Sequence, residues 1–209
     1  LVEGHCYIVP LSYSESFVNV DEEIWSEIKK FQHSLSQMYN NKKKKLIFLE
    51  TASHGGASGL QCKMEVIPVP ARTEEDAPFY FKSSLGEVAQ EWGTHQKPII
   101  LNSHKTLRNA VPKSFPYFYC GWSDGNEGYV QLIEGEDDGL GGTGESSSGR
   151  NKYRDFGLDT VAGMMGLDPY RMRKKGGRGG REDFDAEKRE ILRFCEQWKA
   201  VDWTQELDG

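Results

Sequence analysis

The sequence predicts an α+β protein in which an α/β half, residues 1–105, is followed by a second, smaller α+β half, residues 106–209. Short runs rich in β-branched residues, typical of strands, recur in the first half at 5–10, 46–50 and 61–68. Between the first two runs, residues 21–39 repeat apolar side chains at four-three spacing, which is the period of an amphipathic helix. Helices and strands that follow one another in this irregular order favour the α+β class.

The predicted helix at residues 21–39 has the residues that a helix start requires. Asp21 is a good N-cap, and Glu22 and Glu23 suit the positive end of the helix dipole. A second amphipathic helix is predicted at residues 79–92, after several prolines.

The second half begins with a predicted β-hairpin. Residues 117–122 and 128–133 are aromatic and β-branched runs, and the SDGN sequence at 123–126 supplies the turn. Two further helices are predicted at residues 156–167 and 185–198. The apolar residues of the last helix are expected to face inward: Ile191, Leu192, Cys195 and Trp198.

Residues 134–152 are acidic and rich in Gly and Ser, a composition that predicts a flexible insertion. The GLGGTG sequence at 139–144 matches the GxGxxG pattern of dinucleotide-binding loops. Serines follow it instead of a helix, however, and the strand-helix-strand context is missing. No nucleotide cofactor is therefore predicted from this pattern.

Composition and charge exclude several functional classes. The chain has 209 residues, enough for a sizeable core, and a formal net charge of −6. No apolar run approaches the roughly 20 residues that span a bilayer, so no membrane partner is predicted. Its four cysteines contain no CxxC pair, and its histidines form no close-spaced ligand pattern with them. No metal site and no cofactor are predicted.

One basic segment stands out in this acidic chain. Residues 171–181, RMRKKGGRGGR, contain six basic residues and no acidic one. Arginines separated by glycines are suited to contacts along a phosphate backbone, and single-stranded RNA is a plausible target. The alternative is a solvated loop that binds nothing specific. The predicted RNA-binding residues are Arg171, Arg173, Lys174, Lys175, Arg178 and Arg181.

Residues 4–10 (GHCYIVP), 46–50 (LIFLE) and 61–68 (QCKMEVIP) resemble the core of the histidine-triad (HIT) superfamily. That resemblance implies a HIT-like first half whose N-terminal strands lie upstream of the chain. It also implies a nucleotide pocket with three alternate histidines. Here the three positions are Gln61, Lys63 and Glu65, and His5 is the remaining family equivalent. The predicted site is thus a degenerate pocket with no catalytic residue, and a polar outer face of a strand explains the same residues.

Lys63 occupies the position of the attacking histidine. A lysine is nucleophilic only when neutral, and moving its pKa from about 10.4 to near 7 requires roughly 4 to 5 kcal/mol. Glu65, two residues further along a strand, favours the charged form instead. These residues predict that the chain is not an enzyme. The alternative is a HIT-type nucleotide hydrolase or transferase with an atypical pocket that uses Lys63 and His5.

A more specific resemblance covers nearly the whole chain. Several motifs look like the paired C-terminal domains of the CwfJ family, the CWF-nineteen-like splicing factors. These motifs are residues 4–10, 23–25 (EIW), 48–51 (FLET), 65–70 (EVIPVP), 77–82 (APFYFK), 111–118 (VPKSFPYF) and 198–204 (WKAVDWT). The chain departs from the family pattern in its acidic insertion, its glycine-arginine segment and its lack of triad histidines.

The CwfJ resemblance implies a nuclear, spliceosome-associated protein that acts in pre-mRNA splicing at the late or intron-lariat stage. Its implied partners are spliceosomal proteins, intron-lariat RNA and the lariat debranching enzyme. The residues themselves support a non-catalytic scaffold with a basic segment. A protein-interaction module that does not touch RNA remains a further alternative, and it predicts no loss of RNA contact when residues 171–181 are neutralised.

Overall fold

The described residues form an antiparallel sheet of six strands with helices on both faces. The computed structural model describes residues 2–52, 61–91, 97–133, 148–169 and 181–207. In chain order the strands are β1 (Cys6–Ile8), β2 (Lys44–Ala52), β3 (Met64–Pro70), β4 (Ile99–Leu101), β5 (Tyr117–Trp122) and β6 (Glu127–Leu132). Their order across the sheet is β1-β3-β2-β5-β6-β4. The predicted α+β class is confirmed.

Helices cover the sheet from two sides. They are α1 (Glu22–Asn40), α2 (Ala71–Glu91), α3 (Leu107–Ala110), α4 (Ser148–Met164) and α5 (Arg181–Trp198), followed by a 3-10 turn at Trp203–Leu207. We call the side covered by α1 and the end of α5 face 1, and the side covered by α2 and α4 face 2. The sheet therefore separates two apolar cores.

Strand β2 shows how the sequence builds both cores. Leu46 and Phe48 are buried in the core of face 1, and Ile47 and Leu49 in the core of face 2. Successive side chains of a strand point to opposite faces, so a strand covered on both sides needs apolar residues at nearly every position. Each buried side chain of this size contributes about 1.5 to 3 kcal/mol. This explains the continuous apolar run at residues 46–50.

The first two helices differ in how well the sequence predicts them. α1 follows Asp21 as expected and ends one residue after the predicted end. α2 begins at Ala71 rather than at residue 79, and it continues through Pro78. Proline lacks a backbone N–H and usually interrupts a helix. Thr73 and Ala77 are buried here, so tertiary packing outweighs the helix propensity of this segment.

Three other element boundaries differ from the prediction. β3 begins at Met64, so Gln61 lies outside the strand. α4 begins at Ser148, inside the range predicted as a flexible insertion, and α5 begins at Arg181. The rest of that insertion, residues 134–147 with the GLGGTG sequence, lies outside the described residues.

The inward orientation predicted for α5 is only partly confirmed. Trp198 packs against the core of face 1, but Ile191 is 56% exposed and Leu192 is 60% exposed. Cys195 is exposed as well. The apolar pattern identifies residues that are able to be buried, but only the last turns of α5 meet α1, where Phe31 stacks on Trp198.

The sheet crosses the predicted boundary between the two halves. β2 pairs with β5, with Phe48 opposite Gly121. β4, which precedes residue 105, pairs with β6, with Ile99 opposite Val130. The two halves thus share one hydrogen-bonded sheet, and their division into domains at residue 105 stays a prediction.

Candidate functional site

Three of the four predicted pocket residues meet around Tyr7 at the edge of the sheet. The register of β1 on β3 places Tyr7 opposite Glu65. The rings of His5 and Tyr7 are tilted against each other with centroids 5.2 Å apart. Lys63 lies just before β3, with its ammonium 4.6 Å from the centre of the Tyr7 ring. Tyr7 therefore links His5, Lys63 and Glu65 into what we call the edge cluster.

The central contact of the edge cluster joins Tyr7 and Glu65. Tyr7 and Glu65 are direct partners in the register of β1 on β3, and their side chains are close enough to influence each other's pKa. Burial raises the pKa of Tyr7 to about 12, and the neighbouring carboxylate adds to this increase. Burial also raises the pKa of Glu65, while the charge of Lys63 and the nearby Tyr7 hydroxyl oppose that shift. The carboxylate is thus held between an ammonium and a phenol.

Lys63 is poorly arranged for nucleophilic chemistry. Its Nζ is 3.8 Å from Oε1 of Glu65, and the side chain is 57% exposed. A carboxylate and the face of an aromatic ring both favour the charged ammonium. A lysine nucleophile needs the neutral amine, which requires burial or a second cation nearby. The arrangement fits an ion pair at the sheet edge.

Gln61 does not join the edge cluster. Its Nε2 donates hydrogen bonds to the carbonyl oxygens of Pro10 and Ser12, each at 2.9 Å. Its Oε1 accepts a bond of 3.2 Å from the backbone N–H of Ser14. Because β3 begins only at Met64, the alternation that predicted a shared face for Gln61, Lys63 and Glu65 does not extend to residue 61. Gln61 instead fixes the segment that follows β1.

The Gly4-His5 motif positions His5 through a tight turn. The His5 backbone N–H bonds the carbonyl oxygen of Val2 at 3.1 Å, and Gly4 has a φ of +81°. The Tyr39 hydroxyl donates to the Gly4 carbonyl at 2.9 Å, and a Cβ on Gly4 would lie 2.0 Å from that hydroxyl. Glycine is required here both by backbone conformation and by space.

Helix α4 packs closely on face 2 next to the edge cluster. The Thr51 hydroxyl donates to the Tyr153 carbonyl at 3.2 Å. A Cβ on Gly157 would lie 2.7 Å from Cδ1 of Leu49, so the helix approaches the sheet at a glycine. The negative charge of Asp155 is among the causes that raise the pKa of Glu65. Part of the face on which the degenerate pocket was predicted is therefore occupied by α4.

Sequence reasoning did not single out the polar group in the core of face 1. Glu50 is 2% exposed. Its Oε1 accepts a bond of 2.9 Å from the Phe17 backbone N–H, and its Oε2 accepts a bond of 2.6 Å from the Tyr117 hydroxyl. Burial raises the pKa of Glu50 to about 7, although both hydrogen bonds oppose the shift. The carboxyl ties residues 17 and 117 together inside the core.

The predicted RNA-binding segment lies almost wholly outside the described residues. Arg171, Arg173, Lys174, Lys175 and Arg178 fall there. Arg181 is the first residue of α5, and only its backbone is described. The assignment of these six residues to RNA contact stays a prediction.

Within the described ranges, no group of three or more His, Cys, Asp or Glu side chains is arranged to hold a metal ion. Among the described helices, none combines the length and the apolar character needed to cross a membrane.

Comparison with known proteins matches the two parts of the chain to two protein families with related descriptions. Residues 1–82 match the family described as "Protein similar to CwfJ C-terminal", and residues 91–204 match "Protein similar to CwfJ C-terminus 2". The first of these matches includes every residue of the edge cluster and Glu50.

Similar full proteins come from animals and fission yeast. CWF19-like protein 2 of Mus musculus is 35% identical over 208 residues, which is 98% of this chain and 21% of the relative. The Homo sapiens protein of that name is 34% identical, with 98% and 21% covered. "Pre-mRNA-splicing factor cwf19" of Schizosaccharomyces pombe is 29% identical, with 99% and 30% covered. The chain spans about a fifth of the length of the mouse and human relatives that it matches.

Proposed function

The chain belongs to the CwfJ C-terminal family, and from this membership we propose that it is the non-catalytic C-terminal part of a nuclear pre-mRNA splicing factor. The observation that carries the proposal is the similarity over 99% of the chain to a fission yeast protein named a pre-mRNA-splicing factor. The stage of action that we propose is the late spliceosome, when the intron is present as a lariat.

The proposed partners are spliceosomal proteins, intron-lariat RNA and the lariat debranching enzyme. The basic segment at residues 171–181 supports the RNA contact, because it concentrates six positive charges in a chain whose net charge is −6. The proposed contact with spliceosomal proteins is supported by the name of the fission yeast relative, a pre-mRNA-splicing factor.

The non-catalytic role rests on the surroundings of Lys63. Its contacts with Glu65 and with the Tyr7 ring favour the charged ammonium. A direct test compares the purified chain with Lys63→Ala on aminoacyl-adenylate and capped dinucleotide substrates. The expected result is no turnover above buffer with either protein. A turnover that Lys63→Ala abolishes, while Lys97→Ala leaves it unchanged, would instead support a HIT-type hydrolase or transferase.

The RNA contact has its own test in solution. Glutamine replaces the six basic residues of 171–181, and binding of nucleic-acid-free protein to single-stranded and branched RNA is measured at several salt concentrations. Each phosphate contact contributes about 0.7 to the slope of log affinity against log salt, so the variant should lose up to about 4 of that slope. The matched control replaces six exposed basic residues elsewhere: Lys82, Lys97, Lys105, Lys113, Lys188 and Arg189. An equal loss in both variants would mean that RNA responds only to net charge.

A further inference from the structure

The helix α5 leaves most of its length exposed to solvent. Residues 184–193 are all exposed, and close packing begins only in the last turns. There Trp198 stacks on Phe31 of α1, with the ring centroids 5.8 Å apart. Further up the helix, Glu190 makes a polar contact, in which its Oε1 accepts a bond of 3.2 Å from the Gly4 backbone N–H. The helix is therefore held near its C-terminal end, and its earlier turns project into solvent.

The projecting part of α5 carries an apolar stripe. Phe184 is 66% exposed, Ile191 is 56% exposed and Leu192 is 60% exposed. At about 3.6 residues per turn, these three side chains lie within an arc of about 100°. Lys188 lies in the same arc, and its alkyl stem extends the apolar surface. A stripe of this width normally packs against another element, so its exposure leaves α5 open to a second helix.

The stripe continues into an apolar groove on face 1. Ile191 precedes Phe194 by three residues, so the two side chains are neighbours on the helix surface. Phe194 and Trp198 line a groove of about 320 Å³ together with Phe31 from α1 and Ile8 from β1. The exposed stripe and the groove thus form one apolar surface along α5.

The charges of α5 indicate which helix fits this surface. Residues 182–187 include four acidic residues and no basic one, a net charge of −4. Residues 188–193 include three basic residues and one acidic one, a net charge of +2. Two copies of α5 in parallel would place the acidic halves together, whereas two antiparallel copies place each acidic half on a basic half. The helix is therefore complementary in charge to a reversed copy of itself.

We propose that α5 is a dimer interface, and that two copies of the protein pair through it in antiparallel orientation about a two-fold axis near Glu187 and Lys188. A two-fold axis perpendicular to the helices makes every contact occur twice. Phe184 of one copy packs beside Ile191 of the other, at the mouth of the groove that Phe194 lines. The inference goes beyond the splicing role and does not depend on it.

The first test measures self-association of the full-length protein, freed of RNA, by analytical ultracentrifugation over a range of concentrations. The wild type should form a dimer. The double variant Phe184→Ser and Leu192→Ser should weaken it at least about tenfold, because each substitution acts twice in a two-fold interface. The matched control, Phe79→Ser with Ile100→Ser, replaces side chains that are 75% and 61% exposed elsewhere, and it should dimerise like the wild type. A monomeric wild type would overturn the proposal and assign the stripe to another protein, and a dimer that the Phe184 variant leaves intact would overturn it as well.

A second test addresses the orientation of the two helices. Lys188→Glu with Arg189→Glu makes both halves of α5 acidic and should weaken the dimer at least about tenfold. Lysine is then introduced in the same protein at the four acidic positions of the first half, which reverses both halves and should restore the dimer: Glu182, Asp183, Asp185 and Glu187. Circular dichroism checks that both variants keep the helix content of the wild type. A dimer that the six-residue reversal fails to restore in a folded protein would contradict the antiparallel pairing.

Discussion

Glu50 and Glu65 lie on neighbouring strands of the same sheet, yet their surroundings differ in kind. Glu50 is in the central strand β2, is 2% exposed and accepts bonds from the Phe17 N–H and the Tyr117 hydroxyl. Glu65 is in β3 next to the edge strand, and its side chain is 16% exposed beside Lys63. The central carboxyl has neutral donors in a dry core, whereas the edge carboxyl has a cation with access to water.

This difference shows at which carboxyl group desolvation costs the folded state more. Two of the residues predicted for the degenerate pocket, Lys63 and Glu65, form a partly solvated ion pair, which costs the fold little. The larger desolvation lies at Glu50, which sequence patterns did not single out. Position in the sheet, more than residue type, decides which of the two carboxyls governs stability.

Of the substitutions considered, Glu50→Ala should cause the largest loss in the free energy of unfolding. It removes both acceptor atoms and leaves the Phe17 N–H and the Tyr117 hydroxyl unpaired in the core beside a new cavity. We expect a loss of about 4 kcal/mol in the free energy of unfolding. The matched Glu65→Ala should lose about 1 kcal/mol. Urea denaturation at pH 6 measures both, and equal losses would contradict the contrast between centre and edge.

Glu50 should also give the protein a pH-dependent stability. Because burial raises its pKa to about 7 from the usual 4.5, the folded state retains a proton that the unfolded chain releases. The stabilisation is complete below pH 4.5 and is lost as the pH rises through 7. Relative to Glu50→Gln, the wild type should lose about 3 kcal/mol over that window, at 1.36 kcal/mol per pKa unit.

The comparison with Glu50→Gln isolates this carboxyl, because Glu65 and all other groups titrate in both proteins. Urea denaturation in steps from pH 4.5 to pH 8 gives the two curves. Curves that stay parallel over the whole range would show that Glu50 titrates as an ordinary exposed carboxyl.

A substitution in the turn that precedes β1 should reduce the free energy of unfolding more than loss of the Lys63–Glu65 ion pair does. Gly4→Ala places a Cβ 2.0 Å from the Tyr39 hydroxyl at a φ of +81°. We expect a loss of about 2 kcal/mol in the free energy of unfolding. The control is Gly86→Ala in α2, where a Cβ meets no atom within 4 Å, and it should add about 0.5 to 1 kcal/mol. The same sign for both variants would refute the role of the Gly4 turn.

Lys63→Gln should have the smallest effect on stability, below about 1 kcal/mol, because the ion pair with Glu65 is exposed on the lysine side. Its clearer effect is on titration. Lys63 lowers the pKa of Glu65 against the opposing effect of burial, so its removal should raise that pKa further. NMR titration of the Glu65 carboxyl measures the shift. A fall in this pKa would contradict the proposed ion pair.

Much of the fold follows from the sequence, since periodicity reports which residues are able to be buried. The four-three spacing of α1 and the continuous apolar run of β2 predict both elements closely. Local sequence signals fail where tertiary contacts determine the extent or the burial of a helix. Ala77 is buried, and α2 continues past Pro78 although proline usually interrupts a helix. Only the last turns of α5 contact α1, so Ile191 is exposed.

The site was less predictable than the fold. Alternation correctly indicated that Lys63 and Glu65 lie together, but it placed Gln61 with them, because the true start of β3 depends on its pairing with β1. Tyr7 was not predicted as the linking residue, because its contact with Glu65 follows from strand register and not from local sequence. The predicted grouping of His5 with this face agrees with its distance from Tyr7.

The measurement that tests the proposed function most directly is ultraviolet crosslinking of the full-length protein in nuclei, with sequencing of the attached RNA and mapping of the contacted peptides. We expect enrichment of intron branch regions, with crosslinks in residues 171–181. These crosslinks should be lost when the six basic residues there are replaced by glutamine. Absence of intron RNA from the wild-type protein would contradict the proposed function.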